Sequence, residues 1–219
     1  MNMDIGIETF FTIEALGLDI TNTVVNTWVV MLLLILFSLI VRWQIRKVPS
    51  RVQLVAEMIV LGAQWLVDNT MGENKRIYAP YVMTLSLYLV LANLSSLFAL
   101  RQPTGDLNLT FALALITFIL IHYQGIKAKG GLGYIKTFFE PLAFMFPMNV
   151  ISDIALPVSL SFRLFGNMLG SIIIMALLYS VIPFAIPIIG HVYFDIFVGL
   201  IQAFIFVMLT ITFISMKAD

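Results

Sequence analysis

VVMLLLILFSLIV, residues 29–41, carries one hydroxyl and no charge, and it forms the heart of an uncharged stretch from Ile20 to Val41. A helix crossing the hydrocarbon core of a bilayer needs about 20 mostly apolar residues, so this stretch predicts a membrane span. Two further stretches are uncharged, Ile77–Leu100 and Leu107–Ile126, and the long segment Pro141–Met216 contains just Asp153, Arg163 and Asp195. These are continuous apolar runs and not the ten-residue alternations of a membrane barrel, which predicts an all-α integral membrane protein.

Composition agrees. The 219 residues are 61% hydrophobic and 11% charged, with a mean hydropathy of +1.02, where an ordinary globular chain is about a quarter charged. Twelve basic and twelve acidic residues cancel, which leaves no electrostatic footprint for a nucleic-acid partner. The absence of cysteine excludes disulfides, a thiol nucleophile and Cys-ligated metals. His122 and His191 have no metal-ligand spacing around them, so no metal is expected. The N-terminus lacks the basic region of a secretory signal and carries Asp4, Glu8, Glu14 and Asp19 instead.

Basic residues collect on the cytoplasmic side of a membrane protein. Arg42, Arg46, Lys47 and Arg51 follow the first span, which places residues 1–19 outside. Lys75 and Arg76 precede the next, and Lys127, Lys129, Lys136 and Lys217 fall on the same side if the spans are residues 20–41, 77–100, 107–126, 148–182 and 188–216. Segment 52–68 would put the basic clusters on opposite faces if it crossed. Its Gln53, Glu57, Gln64 and Asp68 share a stripe, so it is expected to be an interfacial helix or half of a re-entrant hairpin. RQPTGD reads as an outer loop, GIKAKGGLGYIK as a flexible basic inner loop, and PFAIPIIG (residues 183–190) as the outer break between the last two helices. Those two helices, 35 and 29 residues, would be roughly 52 Å and 43 Å long and must tilt strongly; Pro157 offers a kink in the first of them.

A charge at mid-bilayer costs from about 2.5 to more than 10 kcal/mol and calls for a reason. Arg163 is too deep to snorkel easily, and an arginine keeps its charge. It is either half of a structural ion pair with Asp153 or Asp195, or a fixed barrier to cations and a partner for a carboxylate elsewhere. Asp153 lies ten residues earlier, about 15 Å toward the cytoplasmic side, where a hydrated carboxylate in an inward-facing pocket is expected. Asp195 lies toward the outer half, with Gln202 seven residues on and nearly on the same face. Asn167 is four residues after Arg163; for it and Gln202 a hydrogen bond between neighbouring helices is the plainer alternative. Ser159 is a further candidate for the lining, the Gly166/Gly170 pair permits close helix approach, and His191 reads as a solvated surface residue. Two carboxylates reached from opposite faces and separated by a fixed cation are the parts of two offset half-channels, completed by a mobile carboxylate on another subunit.

SFRLFGNMLG (residues 161–170) resembles the signature of the F-type ATP synthase a subunit, and IQAFIFVMLTITFIS (201–215) resembles that family's glutamine-containing last helix. PTGDLNLTFALAL, FPMNVISD and the basic GG loop extend the resemblance over essentially the whole chain, in order. It implies a multi-pass protein of a bacterial-type cell membrane with its C-terminus cytoplasmic. The implied partners are a rotating c-subunit ring, b-type peripheral-stalk subunits and the rest of the ATP synthase. The transported ion would be H⁺ or Na⁺, and Arg163 would be the essential arginine, with Asn167 and Gln202 beside the ion path. Ile172 stands where many members carry an acid and Asp195 where many carry a histidine, a swap that moves the outer acid onto the last helix. Leu156 replaces a frequent lysine, and Asn93, in NLSS, is assigned no role. No phosphate-cradling glycine motif occurs, so no nucleotide chemistry and no cofactor are expected of this chain. A secondary transporter of an ion or solute would show two similar halves, and none are evident; a structural anchor would leave Arg163 unexplained.

Overall fold

The computed structural model describes residues 9–13, 18–46, 49–98, 100, 102–139, 143–181 and 186–218. A two-stranded antiparallel hairpin, β1 (Thr9–Ile13) and β2 (Leu18–Thr21), leads into α1 (Asn22–Trp43). This hairpin has no counterpart in the sequence reading, which gives only an external segment; otherwise the described chain is helical.

The helices are α2 (Arg51–Met71), α3 (Ala79–Leu94), α4 (Leu107–Lys129), α5 (Gly131–Thr137), α6 (Phe146–Val181), α7 (Ile186–His191) and α8 (Gly199–Ala218). Among the described residues five stretches are long and apolar enough to cross a membrane: Asn22–Trp43, Lys75–Phe98, Leu107–Lys129, Phe146–Ser180 and Pro187–Lys217. Helix α2 is not one of them.

Local chemistry sets the helix ends. Ser50 caps α2 by accepting the Gln53 N–H at 3.3 Å, and the helix stops at Gly72, whose φ of 87° few other residues tolerate. Asp106 caps α4 through the Asn108 N–H at 2.9 Å, while its other oxygen accepts from Thr23 of α1 at 2.8 Å. The flexible inner loop expected at residues 125–136 is instead helical. Helix α4 continues through Lys129, turns at Gly130 (φ 73°) and resumes as α5, so one left-handed residue takes the place of the expected loop. Ile182–Ala185 lie outside the described residues, but Ile186–Gly190, expected in the outer break, belong to α7. Helix α6 is one helix across Pro157, and its 36 residues correspond to about 54 Å.

Helices α3, α4, α6 and α8 make most of the core, which Val67 and Met71 of α2 and Val30 of α1 complete. Val82, Leu85, Leu89 and Ala92 of α3, Ala114 and Ile121 of α4, Leu160 and Leu164 of α6, and Ala203, Phe206, Val207, Ile211 and Ile214 of α8 pack together at helical spacing. In lipid, burial of apolar surface does not itself drive association; close packing and interhelical hydrogen bonds do. Thr110 of α4 meets Ser161 of α6 at 3.1 Å, Tyr81 of α3 meets Thr117 of α4 at 3.1 Å, and Asn93 of α3 donates to the Gly199 carbonyl at 2.8 Å. Helix α1 joins the bundle by a narrow strip: Thr23 and Val30 are its buried residues, and Trp28, Leu32 and Leu36 are exposed. Such an apolar flank suits lipid.

Candidate ion pathway

Helix α6 turns one face to the core and leaves another open. Leu160, Ser161, Leu164, Met168, Ser171 and Met175 are buried, whereas Ser152, Ala155, Ser159, Arg163, Gly166 and Asn167 are exposed. A Cβ added at Gly166 or Gly170 would meet nothing within 4 Å. Arg163 thus sits on an open strip of small and polar residues. Among the described residues it makes no ion pair and no hydrogen bond, so the structural pairing with Asp153 or Asp195 is not formed.

The other residues of the set separate into three groups along the bundle. Beside Arg163, a cleft of about 330 Å³ is lined by Ser152, Leu156, Ser159 and, from α8, Leu209 and Phe213. It extends from the arginine toward the start of α6, the end expected to be cytoplasmic. Asn167 Nδ2 donates to Gln202 Oε1 at 2.7 Å, which ties α6 to α8 one helical turn past Arg163. The bond between neighbouring helices weighed for this pair is therefore present. Gln202 is buried, and its own amide nitrogen has no partner among the described residues.

Asp153 is not the lone hydrated carboxylate expected. Lys217 Nζ lies 2.6 Å from its Oδ2 and His122 Nε2 3.6 Å away, so a cation from the end of α8 holds it against α4. Tyr134 and Phe138 flank the ammonium, with ring centroids at 5.7 Å and 5.0 Å. Burial, and after it the Asp153 charge, push the Tyr134 hydroxyl up to about 12.

Asp195 sits in a π-helical turn, Val192–Val198, that links α7 to α8. Such a turn holds one residue more than an α-helical one, and turns of this kind gather at functional positions. Asp195 is 4% exposed. His191 Nδ1 lies 2.5 Å from its Oδ2, and Gln102 Nε2 lies 3.4 Å from its Oδ1. The second ring nitrogen of His191 is 2.7 Å from the Tyr179 hydroxyl. His191 is therefore not simply a solvated surface residue. Gln102 also donates to the Asn93 carbonyl at 2.9 Å, and Thr104 donates to the Asn93 side-chain oxygen at 2.8 Å. Asn93, assigned no role from the sequence, joins α3, the turn before α4 and α8.

A cavity of about 730 Å³ opens beside this network. Thr23, Asp106 and Asn108 stand among its polar walls with Tyr179, His191 and Asp195, and Ile172 lines it too. Ser96 and Ser171 line the same cavity with buried hydroxyls that have no partner among the described residues. Although most of the cavity wall is apolar, these hydroxyls together with Gln102, Asp106, Asn108, His191 and Asp195 supply the polar partners that water needs. The described residues hold no cluster of His, Asp and Glu suited to a metal ion.

The arrangement is a cation unpaired among the described residues on an open helix face, a cleft to one side of it and, to the other, a cavity with a buried acid in its wall. A sequence model of the ATP synthase A chain family matches residues 24–215. The chain is 38% identical over 218 residues to the sodium-ion-specific ATP synthase subunit a of Propionigenium modestum, covering 91% of this chain and 74% of that protein. It is 39% identical over 199 residues to ATP synthase subunit a of Moorella thermoacetica, covering 90% and 91%. It is 36% identical to ATP synthase subunit a 1 of Pelobacter propionicus, covering 89% and 86%. With apolar helices in order, an intramembrane arginine and a match over nearly its whole length, the chain belongs to the ATP synthase A chain family, the ion-translocating stator subunits of that complex.

Proposed function

We propose that the ion crosses this subunit by two offset half-channels that meet at Arg163, and that residues 1–219 act as one membrane domain. The observation that carries this reading is Arg163 itself, charged, unpaired and set on an open strip of small residues. A permanent cation without a carboxylate partner among the described residues of its own chain is stabilised by one from another chain. The partner of matching chemistry is a ring of c subunits, each presenting a membrane-embedded carboxylate. When such a carboxylate reaches Arg163, the guanidinium favours its ionised form and displaces the bound H⁺ or Na⁺. The outer half-channel is the cavity lined by Asp195, with Ile172 in the position that the swap leaves without an acid. The inner one is the cleft lined by Ser152 and Ser159. Asp153, held by Lys217, sets the charge at its cytoplasmic mouth. Asn167 and Gln202 stand between the two halves and fix the face that Arg163 presents.

The N-terminus lies outside and the C-terminus in the cytoplasm of a bacterial-type membrane, helix α2 lies along the interface, and b-type stalk subunits hold the chain against rotation. Nucleotide chemistry belongs to other subunits. The chain contains no cysteine, so single cysteines at Ser159, Gly166 and Asn167 are clean probes. In the intact complex each is expected to cross-link to a cysteine placed next to the membrane carboxylate of the c subunit. No cross-link from any of the three, in an assembled and active enzyme, would overturn this face as the rotor contact.

A further inference from the structure

We propose that His191 is a proton-relaying residue of the outer half-channel, delivering protons to Asp195, and that Tyr179 orients its ring. This rests on the reading of Asp195 as the outer acid and assigns that path a carrier, a direction and an ion.

Three groups form one hydrogen-bonded line: the Tyr179 hydroxyl, 2.7 Å to His191 Nε2, then His191 Nδ1, 2.5 Å to Asp195 Oδ2. They come from two elements, α6 for Tyr179 and the end of α7 with its π turn for the other two. Exposure falls along the line. Tyr179 is 47% exposed, the His191 side chain 35% and the Asp195 side chain 6%. A line that runs from an open end to a buried acid is a way in. Its open end is beside the break between α6 and α7, and all three residues line the cavity that also exposes Asp106, Asn108 and Thr23.

The step balances. With the Nδ1–H donated to Asp195, Nε2 is an acceptor. When the Tyr179 hydroxyl yields Nε2 to a hydronium ion from the entrance, Nε2 takes its proton, water is left behind and the ring becomes imidazolium; the Nδ1–H bond then breaks toward Asp195 Oδ2, leaving the ring neutral with its proton on Nε2 and Asp195 protonated. Asp195 releases that proton inward, and the ring resets through water, losing its Nε2 proton at the entrance and gaining one at Nδ1, which restores the starting tautomer with no net change of protons. The Tyr179 hydroxyl keeps Nε2 facing the entrance. The titratable groups that line the cavity with the ring are Asp195, Tyr179 from α6 and Asp106 at the start of α4; no lysine or arginine among the described residues lines it. Sodium has no use for this line, because a cation wants oxygen ligands and finds two imidazole nitrogens in the way.

The test uses the intact ATP synthase in vesicles, with synthesis driven by imposed gradients and assembly checked by recovery of the complex. His191→Ala is expected to lower proton-driven synthesis roughly hundredfold or more, and added imidazole is expected to restore part of it. His191→Gln, which can still bond to Asp195 but cannot carry a proton, should remain slow; it serves if the alanine variant does not assemble. Tyr179→Phe should shift the dependence on pH in the compartment facing the Tyr179 end. Wild-type rates in both His191 variants, with Asp195→Asn impaired, would overturn the relay and leave the outer path standing. Wild-type rates in Asp195→Asn would overturn that path first. A slow His191→Gln with an unaltered pH profile and no imidazole rescue of His191→Ala would make the histidine a mere prop. Synthesis driven by a sodium gradient at constant pH would overturn the proposal outright.

Discussion

Lys217 and Asp153 stand 2.6 Å apart although 64 residues separate them, so the last turn of α8 is tied to the second turn of α6 by an ion pair. Both side chains are mostly sheltered, which makes the removal of one partner costlier than the pair is worth. Asp153→Asn and Lys217→Met are each expected to destabilise the protein in detergent by about 1–2 kcal/mol. The double variant should recover much of the loss, and a thermal-unfolding double-mutant cycle measures the coupling. Asp153→Asn should also slow ion-driven synthesis without uncoupling it.

Arg163→Ala is expected to abolish ion-driven ATP synthesis while the complex still assembles. The side chain has no partner among the described residues of its own chain, so its loss leaves no orphaned carboxylate behind. The measurement is synthesis in vesicles alongside recovery of the intact complex.

Ile172 and Asp195 line one cavity from different helices, and the Ile172 side chain lies 3.4 Å from where a Cβ would stand at Gly105. Asp195→Asn should strongly impair synthesis and Asp195→Glu should keep part of it. Adding Ile172→Glu to the Asp195→Asn protein should return some flux, because the new carboxylate enters the same polar space. Failure of any rescue in an assembled complex would show that position on the last helix, and not mere presence in the cavity, is what the acid requires.

Asn93→Leu should cost about 2–3 kcal/mol, since the Gly199 carbonyl and the Thr104 hydroxyl both lose a buried partner. Gly199→Ala probes the same joint from the other side: its new Cβ would lie 3.1 Å from the Asn93 Cβ, so the helices must part slightly. Both variants should lower the melting temperature, and Gly199→Ala by less.

Tyr134 carries a buried hydroxyl without a partner among the described residues, pushed up to about 12 by burial and then by Asp153. A phenol whose folded value is raised contributes its stabilisation below its ordinary value, near 10, and loses it as pH climbs from there through about 12. Tyr134→Phe should remove that alkaline penalty and be neutral or stabilising at neutral pH. Unfolding curves measured from pH 8 to about 12 check both arms.

The charge gaps reveal the spans because lipid tolerates so few charges that their absence is itself a signal. The helix faces that carry Arg163, Asn167 and Gln202 are legible for a related reason: spacing along a helix places a polar residue on a face before any partner is known. What the sequence hides is non-local. Gln102 reaches Asp195 across 93 positions and Asn93 reaches Gly199 across 106, and no periodicity encodes either meeting. The pairing of Asp153 is hidden in the same way, by a lysine that looks like a terminal topology marker. The basic stretch around Gly130 misleads for a local reason. Glycines and lysines resemble a loop, yet one left-handed glycine suffices to join two helices.

The π turn at Val192–Val198 acts as a phase shifter between two rigid rods. One surplus residue rotates the succeeding helix by about 100° relative to an unbroken α-helix. The helix before it can therefore be keyed to Tyr179, and the helix after it to the core through Ala203, Phe206 and Val207, without either setting dictating the other. Deleting one residue of the turn after Asp195 would restore a uniform winding and swing Asp195 off the Gln102 side, with α8 still seated. The acid's aim is thus adjustable by a length change of one, a kind of variation that point substitutions cannot reach and that matching residues position by position between relatives would record as a shifted acid.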